Sequence, residues 1–145
     1  MSVKLRVVID TQVLLRALIN RHSLPARILY DMESGYTLLV SEGTLAEIED
    51  VITRPKVRNK FQLTDEAIQQ LVHRLERGER IVVEEVPAVA RDPKDDIFLA
   101  CAVVGKAQYI VSEDQDLLVL NPYKDIHIVN VSDFLQVLEE PPEVS

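Results

Sequence analysis

The most constraining feature of this chain is a short apolar run near its N-terminus that ends in an acid. Val7-Val8-Ile9 precedes Asp10, and apolar residues with helical spacing follow at once, at 13, 14, 17 and 18. An apolar run without alternation is typical of a strand buried on both faces of a parallel sheet, so the pattern predicts a strand followed by a helix. Open α/β sheets bind ligands at this end of their strands, and a desolvated carboxylate there favours a cation or a proton. The simpler alternative is that Asp10 or Thr11 only caps the helix.

The alternation of strands and helices continues along the chain. Further apolar strands are predicted at 36–40, 81–83, 109–111 and 126–129, with helical periodicity between them. This order predicts an α/β protein with a parallel sheet layered between helices and right-handed crossovers. All strands of such a sheet end at one edge, so we expect Asp10 to share that edge with Asp114, which follows the fourth strand.

Helix boundaries are predicted from local capping signals. Ser41 or Thr44 should cap the helix after the second strand, and Thr44-Leu45-Ala46-Glu47 matches a capping box. Pro55 should end that helix, and Ser132 should cap the last one. Asp92-Pro93-Lys94-Asp95-Asp96 is an acidic helix start that suits the positive end of the helix dipole. The glutamate of the box and the acids of this second start therefore each have a structural interpretation beside any functional one.

Composition limits the class of protein. A chain of 145 residues is expected to form one domain, here 1–138, with a flexible tail at 139–145. With 16 Lys+Arg against 24 Asp+Glu, the net charge of −8 argues against a general basic nucleic-acid binder. Cys101 is the single cysteine and lies in an apolar run, so we expect a buried thiol in a reducing compartment. Without a recognisable signal region or membrane-spanning stretch, the expected location is the cytoplasm, with no membrane partner.

Five segments of the chain, in this order and spacing, resemble those of the PIN-domain ribonucleases: VVIDTQVLLRAL, SEGTLAEIEDV, RDPKDDIFLACAV, YIVSEDQDLL and IHIVNVSDFL. The resemblance covers nearly the whole chain and is closest to the VapC-like toxins of bacterial toxin–antitoxin pairs. It implies a three-layer α/β/α sandwich on a five-stranded parallel sheet of order 3-2-1-4-5. It also implies metal-dependent endonucleolytic cleavage of single-stranded RNA and, for a toxin, a small antitoxin protein as partner.

The resemblance also implies the site residues. Asp10, Glu47, Asp95 and Asp114 match the four catalytic and metal-binding acids of the family, and Asp116 matches a frequent accessory metal ligand. The choice of Asp95 over the acid that follows it depends on the family register alone. Carboxylates without His or Cys are the ligand set that Mg²⁺ or Mn²⁺ prefers, and such an ion can neutralise the charge of a phosphodiester and acidify a water. Without a cation, we expect at least one of these crowded acids to hold a proton near neutral pH.

Three residues depart from the family pattern. Gln12 stands where Asn is usual, Ser112 where Thr is usual, and Glu113 where Gly is usual. Together with Thr11, the first two are candidates for positioning the substrate, and Ser112 is expected to position a carboxylate or a water rather than attack as a nucleophile. Glu113 adds an unexpected charge beside the site.

One basic segment, Arg54–Lys60, follows the Glu47 helix. Arg54, Lys56 and Arg58 are therefore candidates for contacting RNA phosphates, although a solvated loop is an equal alternative. A homodimer is expected if the apolar helix 97–104, or the helix that begins near Val13, leaves one side exposed.

Three other functions fit parts of the pattern. A phosphoacceptor receiver domain shares the alternating sheet and clustered acids, but it requires paired acids after the first strand. A phosphatase of the haloacid-dehalogenase kind would use Asp10 as nucleophile, but it requires a second acid where Gln12 stands. A PIN-fold protein that only binds RNA or a protein partner is the third alternative, because of Gln12 and Glu113.

Overall fold

Five parallel strands form the centre of the protein. The computed structural model describes residues 4–140, and its strands are β1 Leu5–Ile9, β2 Tyr36–Ser41, β3 Glu79–Ile81, β4 Tyr109–Val111 and β5 His127–Val129. They are arranged in the order β3-β2-β1-β4-β5, which confirms the expected topology. The central strand β1 pairs with β2 and β4, so Val7 is in register with Leu38 on one side and with Tyr109 on the other.

Helices flank the sheet and connect its strands, as expected of an α/β/α sandwich. They are α1 Thr11–Ile19, α2 Leu24–Ala26, α3 Glu42–Ile52, α4 Pro55–Lys60, α5 Asp65–Glu76, α6 Pro93–Val104, α7 Gln115–Leu118 and α8 Val131–Glu139. A π-helical turn, Arg27–Asp31, continues α2, and a 3₁₀ turn, Glu33–Gly35, leads into β2. The apolar residues Val7, Val8 and Ile9 of β1 are all buried, which agrees with a strand covered on both faces.

Asp10 joins the end of β1 to the start of α1. Its backbone N–H extends the ladder by donating to the carbonyl oxygen of Val111 at 3.1 Å. Its carboxylate accepts a hydrogen bond from the N–H of Val13 at 3.0 Å and so caps α1. The capping role is therefore confirmed, and it fixes the orientation of a carboxylate that also lines a cavity.

Of the two candidate caps of α3, Ser41 and Thr44, the structure uses Ser41 as the N-cap, with Thr44 completing the box. The hydroxyl of Ser41 accepts from the N–H of Thr44 at 3.1 Å, and Thr44 Oγ1 accepts from the N–H of Ser41 at 2.9 Å. The predicted box of Thr44 and Glu47 is wrong because Ser41, the last residue of β2, can cap the helix as soon as the strand ends. Glu47 consequently lies in the middle of α3 and has no capping role.

Two other boundaries differ from the predictions, and one agrees. β3 ends at Ile81 rather than at 83 because its partner β2 ends at Ser41, the residue in register with Ile81. The helix α3 ends before Pro55, as predicted. Pro55 itself opens α4, as a proline can at a first helical position, so the basic segment is helical rather than a loop. Asn130, and not Ser132, caps α8, since its side-chain oxygen accepts the N–H three residues on at 2.8 Å.

The C-terminal part of the chain is described as far as residue 140. Glu139, the first residue of the predicted tail, is the last residue of α8 and pairs with Arg27 at 2.9 Å. Residues 141–145 of that tail lie outside the described residues. Within residues 4–140, every helix is too short or too polar to cross a bilayer.

The two candidate caps of α8 offer a matched test. Asn130→Ala removes the acceptor that satisfies the first turn, so we expect it to lower the free energy of unfolding by about 1 kcal/mol. Ser132→Ala, an exposed change two residues away, should leave that free energy unchanged. Urea unfolding followed by circular dichroism measures both, and an equal loss in the two variants would contradict this capping assignment.

Candidate active site

A small polar cavity lies at the carboxyl edge of the sheet, where the expected acids meet. Asp10 reaches it from the end of β1, Asp114 from the end of β4, Asp95 from the first turn of α6 and Glu47 from the middle of α3. The cavity has a volume of about 210 Å³. Its walls are formed by Asp10, Thr11, Gln12, Glu47, Val51, Arg54, Asp92, Lys94, Asp95, Phe98 and Asp114. Larger and more apolar grooves lie elsewhere on the described residues, among them two of about 420 and 440 Å³, so the chemistry of the walls rather than the volume distinguishes this cavity.

Asp10 is a buried carboxylate held by two hydrogen bonds. It is 5% exposed, and its two oxygens accept from the Ser112 hydroxyl and from the N–H of Val13. Its pKa is raised to about 6, mainly by burial and to a smaller extent by the charges of Asp114 and Glu113, while the two hydrogen bonds oppose the shift. The chain therefore fixes this side chain in place while leaving its charge poorly compensated.

Ser112 connects two acids of the site without lining the cavity. Its hydroxyl donates to Asp10 and accepts the backbone N–H of Asp114 at 2.9 Å. The residue is fully buried, so it lies beneath the carboxylates rather than in contact with the cavity. This geometry agrees with a residue that positions carboxylates, and it gives no direct contact with a substrate.

The pKa of Asp95 is raised further than that of Asp10. Burial is the main cause that raises its pKa to about 7, followed by its hydrogen-bond contact with Asp114, the charge of Asp114 and the charges of Asp92 and Asp10. Its Oδ2 atom is buried and has no hydrogen-bond partner among residues 4–140. A buried carboxylate oxygen without a partner is costly, and a bound cation would remove that cost.

A close group of three acids could share one ion. Asp95, Asp114 and Asp116 each offer an oxygen, and these atoms all lie within 4.8 Å of one another. The backbone N–H of Asp116 also donates to Asp114 Oδ1 at 2.9 Å, which fixes the spacing of the last two. Oxygen ligands of this kind fit Mg²⁺ or Mn²⁺. Asp10 and Glu47 share the cavity but are outside this closest group.

The acid after Asp95 has a different role. Asp96 accepts hydrogen bonds from the N–H groups of Val89 and Ala90, at 3.0 and 2.7 Å, and thereby ties the segment before α6 to the helix. It lines the 420 Å³ groove instead of the acidic cavity. Of the two neighbouring acids, only Asp95 therefore has the position that the expected site requires.

The unexpected Glu113 also has a structural explanation. Its Oε1 accepts the N–H of Val131, the first residue of α8, at 3.0 Å. Glu113 thus caps the last helix together with Asn130, and a carboxylate at a helix N-terminus is stabilised by the dipole. The departure from the family pattern at this position supports α8 and does not place another acid in the cavity wall.

The predicted basic contacts are only partly in the cavity. Arg54 lines it, with its guanidinium 2.6 Å from Asp50, whereas Lys56 and Arg58 do not line it, and Arg58 pairs with Asp65. Thr11 and Gln12 do line it; Thr11 is buried and its Oγ1 has no hydrogen-bond partner among the described residues, while Gln12 is exposed.

Lys94 is a cavity residue that the sequence analysis did not select. It is the second residue of α6 and the only wall residue besides Arg54 with a positive charge, within the described part of the chain. The sequence did contain a signal, because a lysine in the first turn of a helix opposes the helix dipole.

Comparison with known proteins identifies the family. A family model described as PIN domain matches residues 6–116. The chain belongs to the PIN-domain family. PIN domains are generally nucleases, so the alternative receiver domain and haloacid-dehalogenase phosphatase are both wrong.

Individual relatives agree with this assignment. The uncharacterized protein MJ1680 of Methanocaldococcus jannaschii is 31% identical over 135 residues, which cover 90% of this chain and 86% of that protein. The crystal structure of PAE2754 from Pyrobaculum aerophilum is similar with a TM-score of 0.61 at 14% identity, covering 93% and 90% of the two chains. VapBC2 from Rickettsia felis, bound to a DNA fragment from its promoter, is similar with a TM-score of 0.58 at 15% identity, covering 87% of this chain and 98% of that one. At these identities the two structures show the shared fold.

Proposed function

We propose that this PIN-domain protein is a metal-dependent endoribonuclease that cleaves single-stranded RNA. The observation that carries the proposal is the meeting of Asp95, Asp114 and Asp116 within 4.8 Å, with Asp10 in the adjoining cavity wall. Acids this close repel one another unless a proton or a cation lies between them. A nuclease family, an all-carboxylate ligand set and the unpartnered Asp95 Oδ2 favour a divalent cation.

The chain supplies the positions of the ligands. Asp95, Asp114 and Asp116 would hold Mg²⁺ or Mn²⁺, with Asp10 and Glu47 as the further catalytic acids of the cavity. When bound, such an ion neutralises charge on the phosphodiester and makes a water a stronger nucleophile. Ser112 holds Asp10 and the backbone of Asp114 in one arrangement, so the two acids are ordered before substrate arrives.

The adjacent acids of α6 give a matched test of this site. We expect Asp95→Asn to abolish Mn²⁺-dependent cleavage of a single-stranded RNA, with the same loss for Asp10→Asn and Asp114→Asn, because each removes a negative charge from the acidic site. Asp96→Asn should retain cleavage and lower the thermal midpoint, since its carboxylate only anchors a loop.

Gel analysis of a labelled RNA, with circular dichroism to confirm folding, separates these outcomes. Folded Asp95→Asn protein that cleaves as fast as the parent would show that the acids are assigned to the wrong role. A protein with an intact metal site that binds RNA but does not cleave it would support the binding-module alternative. Glu113 no longer favours that alternative, because its capping contact accounts for its presence.

We further propose that the protein is the toxin of a toxin–antitoxin pair, with a small antitoxin protein as partner. Similarity of fold to VapBC2 supports this role. The expected cytoplasmic location and homodimer also stay predictions. The dimer could use the exposed side of α6, where Val104 is 50% exposed.

Expression in a bacterial host tests the toxin role. We expect the parent protein to arrest growth, because uncontrolled RNA cleavage is harmful, and we expect a small co-encoded protein to relieve the arrest. The Asp95→Asn variant, expressed to the same level, is the control and should allow growth. Normal growth with parent protein that is shown to cleave RNA would exclude this role without affecting the nuclease proposal.

A further inference from the structure

The cavity wall contains two positive charges among five negative ones. The acids are Asp10, Glu47, Asp92, Asp95 and Asp114, and the cations are Arg54 and Lys94. Because a chain of net charge −8 attracts RNA poorly overall, local cations beside the site have to supply the attraction for phosphates. These two residues reach the cavity from separate elements, since Arg54 precedes α4 and Lys94 lies in α6.

Lys94 occupies a position that helix electrostatics disfavours. It is the second residue of α6, whereas Arg54 lies just beyond the C-terminal end of α3, where the dipole of that helix favours a cation. A positive charge at the N-terminal end of a helix opposes the dipole, which prefers an acid there. Residues that break such a local rule without a structural compensation are commonly found at functional sites.

The ammonium group of Lys94 has no ion-pair partner among the described residues. Its side chain is exposed and forms no salt bridge with any residue from 4 to 140, although acids flank it in sequence. Its backbone is fixed, because its N–H donates to Asp92 Oδ1 at 3.0 Å. A lysine with an ordered backbone and an unpaired ammonium group is well placed to bind an anion.

Arg54 is paired, but the pair is one that a phosphate can replace. Its partner Asp50 lies one helical turn earlier, and the side chains of the two residues are 45% and 60% exposed. Exposed ion pairs of this kind contribute little to stability, whereas a guanidinium binds phosphate through two parallel hydrogen bonds.

We propose that Lys94 and Arg54 bind two different phosphate groups of an RNA strand at the acidic cavity. This inference rests on the proposed nuclease function and adds its substrate-binding residues. The RNA strand then crosses the acidic cavity. Lys94 of α6 and Arg54 at the start of α4 bind its neighbouring phosphates. The competing explanation is that Lys94 is only an internal counter-ion of Asp92 and Asp95.

Steady-state kinetics on a single-stranded RNA with Mn²⁺ distinguishes the two roles. For Lys94→Gln we expect KM to rise about tenfold and kcat to change less than about twofold, because one charged phosphate contact is lost in both ground and transition states. The slope of log(kcat/KM) against log[salt] should become shallower by about 0.7. Arg54→Gln should behave in the same way, and Lys94→Arg should restore the parent KM.

Lys106→Gln is the matched control, since Lys106 lies just beyond the other end of α6, about 18 Å away along the helix axis. Its KM and salt slope should equal those of the parent. Thermal unfolding adds a second readout, because removing a cation from a helix N-terminus should leave the midpoint of Lys94→Gln unchanged or raise it.

Two results would overturn the inference. A counter-ion role predicts that Lys94→Gln binds Mn²⁺ more tightly while KM for RNA and the salt slope stay the same. Fluorescence anisotropy of a labelled RNA with Ca²⁺ in place of Mn²⁺ measures binding separately from cleavage. If RNA binding depends on Lys94 but the parent protein does not cleave RNA, the nuclease proposal alone is refuted. If cleavage and binding are unchanged in both Lys94→Gln and Arg54→Gln, this inference alone is refuted.

Discussion

The structure depends on placing several carboxylates in one poorly solvated cavity. Burial, together with the charge of Asp114, raises the pKa of Asp10 to about 6 and that of Asp95 to about 7. A charged carboxylate in such a place is unfavourable, and it becomes more so as its neighbours ionise. The arrangement is therefore strained at neutral pH when all of these acids are ionised. A strained cluster of this kind, in a cavity, is typical of a functional site.

The fold creates this crowding through the order of its strands. Because β1 lies beside β4, the residues that follow them, Asp10 and Asp114, emerge next to each other at the carboxyl edge of the sheet. The first turn of α6 brings Asp95 to the same place. Ser112 then ties the two strand ends together by bonding to Asp10 and to the backbone of Asp114. A single buried hydroxyl thus opposes the repulsion that the topology imposes.

Much of this arrangement was predictable from sequence. Apolar strands that are followed directly by acids indicate a parallel sheet, and they also place those acids at its carboxyl edge. The strand order came from the family resemblance. Details that depend on competing local contacts were not predictable. Thr44 pairs with Ser41 and not with Glu47 because the strand ends there, and Asp96 differs from Asp95 only in the direction of its side chain. A sequence pattern cannot separate two adjacent acids, since one residue of helix rotation decides which of them faces the cavity.

The most direct test of the central claim is calorimetric titration of the metal-free protein with Mn²⁺ at pH 7. We expect saturable binding with release of protons, because the raised pKa values leave the cluster partly protonated before the ion arrives. The Asp95→Asn variant should bind at least about tenfold more weakly, since it loses a charged ligand. Absence of binding by the parent, or equal affinity in the two proteins, would contradict the account of these acids as a cation site.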